Sequence, residues 1–321
     1  MNIVVIGLGS MGKRRIRLMK EMYPHFHIVG VDGRKDRCDE VQKMFSIKCF
    51  NSLSEVDLLI DAAFICTSPN SHNELIQRCL SRGWNIFSEL NLVSDGYDDN
   101  IRLAKEKGVV LFLSSTFLYR EEINYIRNRI GNASWNYIYH IGQYLPDWHP
   151  WENYKETFFG NKETNGCREI MAIELPWLIE TFGEVNEINV IGNKITELNI
   201  DFNDNFFVQL IHANGSKGCL IADVVSPVAV RKLEVYKEGK YLSWNGTPES
   251  LMEFNTNNKK LEQVRLFEKT EHADGYSSFV VENAYKNEIK AFFATMTNNE
   301  TPIYGFEQDK KILQLINRIG A

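Results

Sequence analysis

The chain lacks any apolar run near the roughly twenty residues needed to cross a bilayer, so no membrane-spanning helix is expected. It also lacks a block of consecutive Lys and Arg, and 36 basic against 42 acidic residues leave a net charge of −6. That balance argues against nucleic acid or an anionic membrane as partner, because both recruit clustered positive charge. The six cysteines, Cys38, Cys49, Cys66, Cys79, Cys167 and Cys219, form no C-x-x-C pair. Neither a zinc site nor a redox motif is indicated, and no metal site is expected. Isolated thiols in apolar stretches suit a reducing cytoplasm. With a strand expected from residue 2, no signal peptide is expected. Internal repeats and low-complexity tracts are missing as well.

What is present begins at Ile3. Residues 3–6 are a continuous β-branched run, the pattern of a buried parallel strand. Gly7, Gly9 and Gly12 follow in G-x-G-x-x-G spacing, and residues 13–22 read as a helix. Gly7 permits the tight turn, Gly9 lets a pyrophosphate approach the backbone, and Gly12 lets the helix pack on the strand. Ser10 and Met11 fall at the helix start, where free N–H groups and the positive dipole end favour phosphate. A second strand, 27–31, runs into Asp32, twenty residues beyond Gly12. An acid at that place accepts hydrogen bonds from ribose hydroxyls and repels a 2′-phosphate, so NAD is expected in preference to NADP. Arg34 and Lys35, just beyond, soften that repulsion or form a solvated loop.

Strand and helix then alternate. A helix is predicted at 36–45, a strand at 58–66, a turn at Thr67-Ser68-Pro69-Asn70-Ser71-His72 and a helix at 73–82. A strand at 85–88, a helix at 98–107 and a strand at 109–114 follow. This rhythm predicts a doubly wound parallel Rossmann sheet with its ligand at the carboxyl ends of the strands. The glycine loop, Asp32, the 67–72 turn and Glu89 would border one crevice. Beyond a helix at 120–130 the pattern changes to strand-like runs at 135–142, 185–192, 205–212, 217–224 and 231–237. Residues 247–259 read as loops or an irregular hairpin, and 276–297 and 308–318 as closing helices. A C-terminal α+β domain with a largely antiparallel, open-faced sheet is predicted. The expected boundaries are 1–118 for dinucleotide binding and 119–321 for substrate binding and oligomerisation, and 321 residues suffice for two cores.

Taken together, these pieces resemble the glucose–fructose oxidoreductase and inositol dehydrogenase family over essentially the whole chain. Gly7-Leu8-Gly9-Ser10-Met11-Gly12 is similar to the family's cofactor loop. Thr67 to His72 resembles its turn on the nicotinamide side, and Ser88-Glu89-Leu90-Asn91 falls where the family has Glu-Lys-Pro. Residues 166–183 resemble its second-domain helix, which carries an Asp and, four residues on, a catalytic His. The segment 142–151, with Trp148-His149-Pro150-Trp151, resembles members acting on sugars or sugar nucleotides. The resemblance implies NAD(P)-dependent hydride transfer at a ring hydroxyl or ketone, with Glu89 near the nicotinamide ribose. It further implies a homodimer or homotetramer formed through the second-domain sheet.

The departures bear on activity. Leu90 stands where the family's Lys moves the substrate proton, and Ile173 where its His stands, with Glu169 at the Asp position. A positioned acid/base is worth roughly 10²–10⁴-fold. Replacement groups are therefore expected: Glu174, Glu169 or His149. The alternatives are a buried Glu174 paired with an arginine such as Arg168, and a His149 packed by its tryptophans. Tyr119 and Arg120 either reach substrate or brace the hinge, and Arg231 and Lys232 read as a solvated strand edge. The competing readings are a dinucleotide-binding scaffold or sensor without catalysis, and a cofactor turned over transiently during elimination or glycoside cleavage.

Overall fold

The computed structural model describes residues 1–267, 279, 281–298 and 300–321. The chain forms two compact units. Met1–Ser115 with Lys286–Lys311 makes the first, and Thr116–Tyr285 with Ile312–Ala321 the second. A single cut at 118/119 would leave the returning segment out of the first unit.

The first unit opens with β1 (Asn2–Ile6), α1 (Ser10–Met22), β2 (His27–Val31), α2 (Lys35–Phe45), β3 (Lys48–Phe50) and β4 (Ala62–Ile65). It continues through α3 (His72–Ser81), β5 (Asn85–Ser88), α4 (Tyr97–Lys107) and β6 (Leu111–Leu113). The strands are all parallel, in the order β3-β2-β1-β4-β5-β6. This is the Rossmann order, which reverses between β1 and β4. The predicted strand 58–66 is shorter than expected. Only Ala62–Ile65 pair with Ile3–Ile6, Leu59 is 90% exposed, and the Asp61 carboxylate accepts the Asn2 N–H. The short β3 went unpredicted, since three residues carry no periodicity.

The second unit holds α5 (Glu121–Ile130), β7 (Asn136–Gly142), α6 (Gly166–Phe182), β8 (Val185–Asn193), β9 (Asn205–His212), β10 (Lys217–Asp223) and β11 (Val230–Lys237). Then come β12 (Lys240–Trp244), β13 (Met252–Asn255) and β14 (Lys260–Gln263). The sheet order is β14-β13-β12-β11-β7-β10-β9-β8, antiparallel except for β7 with β10. Of the hairpin β13–β14, only the first arm and the turn fall within the 247–259 stretch expected to be loops or an irregular hairpin; the second arm lies beyond it. One sheet face buries Tyr137, Tyr139, Phe206, Val208, Leu210, Leu220, Leu233 and Val235. On α6, Leu175, Trp177, Leu178 and Phe182 are buried as well. The alternate positions Ile138, Phe207, Ile191 and Tyr236 are exposed.

The chain closes with α7 (Glu282–Asn298) and α8 (Phe306–Ile319). Residues 276–278 and 280 of the predicted helix 276–297 lie outside the described residues. The physical reason that Lys286–Lys311 returns to the first unit is an aromatic ladder. Phe64, Phe87 and Phe112 stack across β4, β5 and β6 at 4.7 and 5.3 Å, and Phe292 meets all three edge-on. A parallel sheet needs cover on both faces, and α7 supplies it. Asp309, fully buried, accepts the hydroxyls of Tyr97 at 2.5 Å and Tyr304 at 2.7 Å.

Candidate functional site

The glycine loop is shaped by two steric demands and one absence. Gly7 has φ +92°, and a Cβ there would lie 2.7 Å from the Cys66 and Thr67 backbone. A Cβ on Gly12 would lie 1.9 Å from the Gly7 oxygen. Gly9 has extended backbone, φ −73° and ψ −159°, and its missing Cβ would meet nothing closer than Arg37 at 3.7 Å. The fold therefore needs no glycine at position 9. An open approach at that point fits a dinucleotide pyrophosphate. Ser10 and Met11 start α1, which has no side-chain cap and no acid in its first turn, so its positive end suits an anion.

Asp32 is fixed against the same loop. Its Oδ2 accepts the Leu8 N–H at 2.8 Å and its Oδ1 the Arg34 N–H at 2.9 Å. The Arg34 side chain, in contrast, forks onto Asp36 at 2.5 and 3.2 Å and is well exposed. Its hydrogen bond holds the Asp36 carboxyl below its usual range.

The turn Thr67-Ser68-Pro69 abuts Gly7 and leads into α3. Thr67 accepts the Ser71 hydroxyl at 2.7 Å, and Pro69 opens a 3₁₀ turn. His72 is buried, with Nε2 2.9 Å from the Thr67 carbonyl and Nδ1 2.5 Å from the Asn91 amide oxygen. A carbonyl only accepts, so Nε2 carries the proton. Burial lowers the His72 pKa, with Asn91 and Thr67 opposing, and a neutral ring accepts at Nδ1. The Asn91 Nδ2, buried and otherwise without a partner among the described residues, is the donor that matches once the amide is turned about.

Glu89 is committed elsewhere. Arg15, from α1, donates to its two oxygens at 2.6 and 3.2 Å, and to Glu288 of α7 at 2.7 Å. Glu288 also takes the Ser115 N–H at 2.7 Å. Burial raises the Glu288 pKa against the pull of Arg15. Glu89 thus knits β5 to α1 through a buried guanidinium.

In the second unit, α6 divides its acids between two faces. Glu174 is fully buried, and its Oε2 accepts Tyr139 Oη and Trp177 Nε1, each at 2.7 Å. Its Oε1 takes Arg231 Nη2 at 2.5 Å, and Arg231 also lies over the Phe117 ring. Arg231 is therefore no solvated edge, and it replaces the expected Arg168, which bonds Asn317 and the Ala321 carbonyl instead. Glu174 has no oxygen left waiting for a substrate proton. Glu169 lies on the other face, four residues before Ile173. Its Oε2 is buried without a hydrogen bond among the described residues, and burial pushes its pKa up to about 7. His149 stands in the loop 145–164, with Nδ1 3.2 Å from Glu152. It stacks on the 74%-exposed Trp151 at 5.3 Å and meets Phe159 edge-on. Arg120 braces Glu122 and the Gly246 and Phe279 carbonyls. Among the described residues no cluster of His, Cys, Asp and Glu could hold a metal ion. No described helix is long and apolar enough to cross a membrane.

Residues 1–115 match the GFO/IDH/MocA family, described as an oxidoreductase family with an NAD-binding Rossmann fold. The amino-terminal domain is thus similar to this family. It is 27% identical over 139 residues to a myo-inositol 2-dehydrogenase of Thermotoga maritima, covering 42% of each chain. It is 26% identical over 193 residues to biliverdin reductase A of Mus musculus, covering 58% of this chain and 60% of that one. The chain thus spans less than two thirds of the curated relatives it matches. A levoglucosan dehydrogenase solved with NADH and L-sorbose aligns over 100% of this chain and 96% of its own, with a TM-score of 0.81 and 14% identity. That last likeness is one of fold.

Against the family's pattern, three substitutions gain a structural meaning. Asn91, where the resemblance puts Pro, holds the buried His72. Leu90 is part-exposed and brings no proton-transfer group. Ile173 shares the part-exposed face of α6 with Glu169, which leaves the acid of that pair without its histidine. Sequence reading missed Asn91, Arg37 and the role of Arg231. For Arg37 the signal was its place in the first turn of α2, five residues beyond Asp32.

Proposed function

We propose that this protein is an NAD-dependent oxidoreductase of a sugar, sugar derivative or sugar nucleotide, with Glu169 as its acid/base. The observation that carries this reading is the Glu169 carboxyl, without a hydrogen bond at Oε2 among the described residues and raised by burial to about 7. A buried polar atom without a partner costs stability, and such groups concentrate where function needs them. A bound nicotinamide supplies the hydride acceptor or donor. Deprotonated Glu169 takes the proton from the reacting hydroxyl in the oxidising direction and returns it to the ketone in reduction. The open position over Gly9 and the fixed Asp32 carboxylate support a dinucleotide, and Asp32 supports NAD over NADP. The exposed Trp151 beside His149 supports a carbohydrate, whose C–H face stacks on an indole. His149 then serves as a binding group. The inositol dehydrogenase relative and the sugar-bound neighbour point to the same substrate class.

A second reading, a scaffold or sensor that binds dinucleotide without turnover, draws support from Leu90, Ile173 and the occupied Glu174. Titration calorimetry with NAD, NADH, NADP and NADPH, followed by a screen of sugars and sugar nucleotides for nicotinamide absorbance change, separates the two. Binding with turnover supports the oxidoreductase. Binding without turnover across the screen supports the sensor, and no binding of any dinucleotide removes both. We further assign the open face of the second sheet to a second copy of the chain, giving a homodimer or homotetramer.

A further inference from the structure

His72 ties together three stretches at the carboxyl ends of the first sheet's strands, the edge at which such sheets hold their ligands. It opens α3, its Nε2 lies 2.9 Å from the Thr67 carbonyl, and its Nδ1 lies 2.5 Å from the side chain of Asn91, three residues beyond β5. Thr67 stands just past the bond from the Cys66 N–H to the Ile6 carbonyl, 2.7 Å, which ends the pairing of β4 with β1. The Thr67 nitrogen lies against Gly7, where a Cβ would come within 2.7 Å of it. The carbonyl that His72 holds therefore belongs to the residue on which the glycine loop rests. His72 and Asn91 are each 2% exposed, so the ring takes its hydrogen bonds from these partners rather than from bulk water. Which nitrogen of an imidazole carries the proton is set by the bond that the other one makes. Ser88 Oγ is 3.5 Å from Nδ1, but its hydroxyl is directed to the Glu89 carbonyl at 3.0 Å. Asn91 is left as the donor to Nδ1, which commits the proton to Nε2. A proline, which the resemblance puts at position 91, has no side-chain donor.

We propose that Asn91 is a positioning residue for the dinucleotide site: it fixes the Nε2–H form of His72, and that N–H holds the Thr67 turn against the glycine loop. The proposal rests on the dinucleotide reading above. A loop that offers its backbone to a ligand keeps its geometry only if a further shell of side chains holds it, and a misplacement of about 1 Å can cost about 10²-fold in rate. The charged group facing the ring is Glu89, itself held by Arg15. Glu89 favours the protonated ring, as do the bonds to Asn91 and Thr67, but burial outweighs them and the His72 pKa is lowered. The ring is then neutral near neutral pH, and Nδ1 is an acceptor that needs the Asn91 amide. An ionised aspartate at position 91 would only accept. It would draw a second proton onto the ring, leave Nε2–H in place, and cancel the added charge.

The test combines nitrogen NMR of the His72 imidazole with NADH titrations of wild type, Asn91→Leu and Asn91→Asp, at a temperature where circular dichroism shows each protein folded. Near neutral pH the wild-type ring should carry one proton, on Nε2. Asn91→Leu fills similar space without a donor and should weaken NADH binding about tenfold, the scale of one hydrogen bond. Asn91→Asp should restore most of the affinity while its ring carries a proton on both nitrogens. That rescue separates positioning from packing, since a merely structural role would leave the affinity of the folded variants alone. Wild-type affinity in folded Asn91→Leu overturns the proposal, as does a wild-type ring with its single proton on Nδ1. If Asn91→Leu does not fold, Asn91→Asp decides: a doubly protonated ring with affinity retained supports the proposal, and a doubly protonated ring with affinity lost overturns it. If wild type binds no dinucleotide, the dinucleotide reading itself fails, an outcome distinct from wild-type binding that Asn91→Leu leaves unchanged.

Discussion

Two glycines six residues or fewer from the end of the first strand separate folding from binding. Gly12 is demanded by the chain itself, since any Cβ would enter the Gly7 carbonyl. Gly9 is demanded by no described residue, since its Cβ would meet nothing closer than Arg37 at 3.7 Å. Gly9→Ala should therefore leave stability within about 1 kcal/mol of wild type, the range of a strain-free Gly→Ala change, while sharply weakening NADH binding. Gly12→Ala should lower the melting temperature and lose binding with it. Paired melts and titrations of the two variants check this; retained NADH affinity in a folded Gly9→Ala would place the pyrophosphate elsewhere. At Glu169 the same scale yields a pH prediction. Its pKa is raised from 4.5 to about 7 by burial. The folded state then holds the proton more tightly than the unfolded chain. The stability tied to it is full below about 4.5 and lost as pH rises through about 7. Melting curves against pH should show this decline in wild type and a flatter profile in Glu169→Gln. In catalysis, kcat/KM for oxidation should rise with pH through about 7, and Glu169→Gln should lose roughly 10²–10⁴-fold. A full-rate Glu169→Gln enzyme would end its assignment as acid/base.

Helix α6 shows how one element separates structural from chemical acids. Glu174 faces the sheet and is bound by Tyr139, Trp177 and Arg231. Burial works against the Arg231 charge, and the neighbouring Glu174 outweighs it, so the Arg231 pKa is raised. Glu174→Ala would strand that buried cation and two donors, at a cost of about 3–5 kcal/mol. Denaturant melts should report the loss. A variant that kept full stability but lost turnover would return Glu174 to the catalytic list. Glu169 lies away from that cluster because five residues on a helix turn the side chain by about 140° beyond a full revolution. Its neighbour by i+4 spacing is Ile173, and an isoleucine offers no partner to a carboxylate. The same helix thus satisfies one acid fully and leaves the other open.

At the scale of the whole molecule, each unit has one feature that its local sequence does not explain. In the second, the sheet alternates buried and exposed positions. Its exposed set includes Ile191 at 73%, Phe207 at 47% and Ile138 at 42%, with Ile191 and Phe207 opposite each other in register. The proposed homo-oligomer uses this apolar row as its association surface, where a second copy would form an isologous contact. Sedimentation should find a dimer or tetramer, and Phe207→Asp should shift it to monomer with an unchanged far-UV spectrum. A wild-type monomer at micromolar concentration would remove this assignment. In the first unit, the feature is the returning segment, held by Phe292 on the aromatic ladder and by Glu288 on Arg15. Through Arg15 this carboxylate also reaches Glu89, so the helix that follows the glycine loop is pinned from two elements far apart in sequence.

The local pattern by itself determined the parallel sheet, the glycine loop and Asp32. Those depend on neighbours in sequence: a β-branched run, glycines at fixed spacing, an acid at the end of the next strand. The resemblance to the glucose–fructose oxidoreductase and inositol dehydrogenase family, and not the local pattern, implied that the α6 histidine and the Lys after Glu89 are replaced. Only the tertiary structure decided which acid is free. Glu174 and Glu169 are five residues apart on one helix, and nothing local says that Arg231, fifty-seven residues further on, meets the first and that no described residue hydrogen-bonds the buried Oε2 of the second. It alone showed Arg34 turned to Asp36 and Arg37 turned to Gly9, since both lie within one short stretch of charged sequence. It alone returned Lys286–Lys311 to the first unit, because the demand for that helix comes from three phenylalanines on neighbouring strands. Periodicity reports which face of an element is apolar; the partner of that face is set by long-range packing.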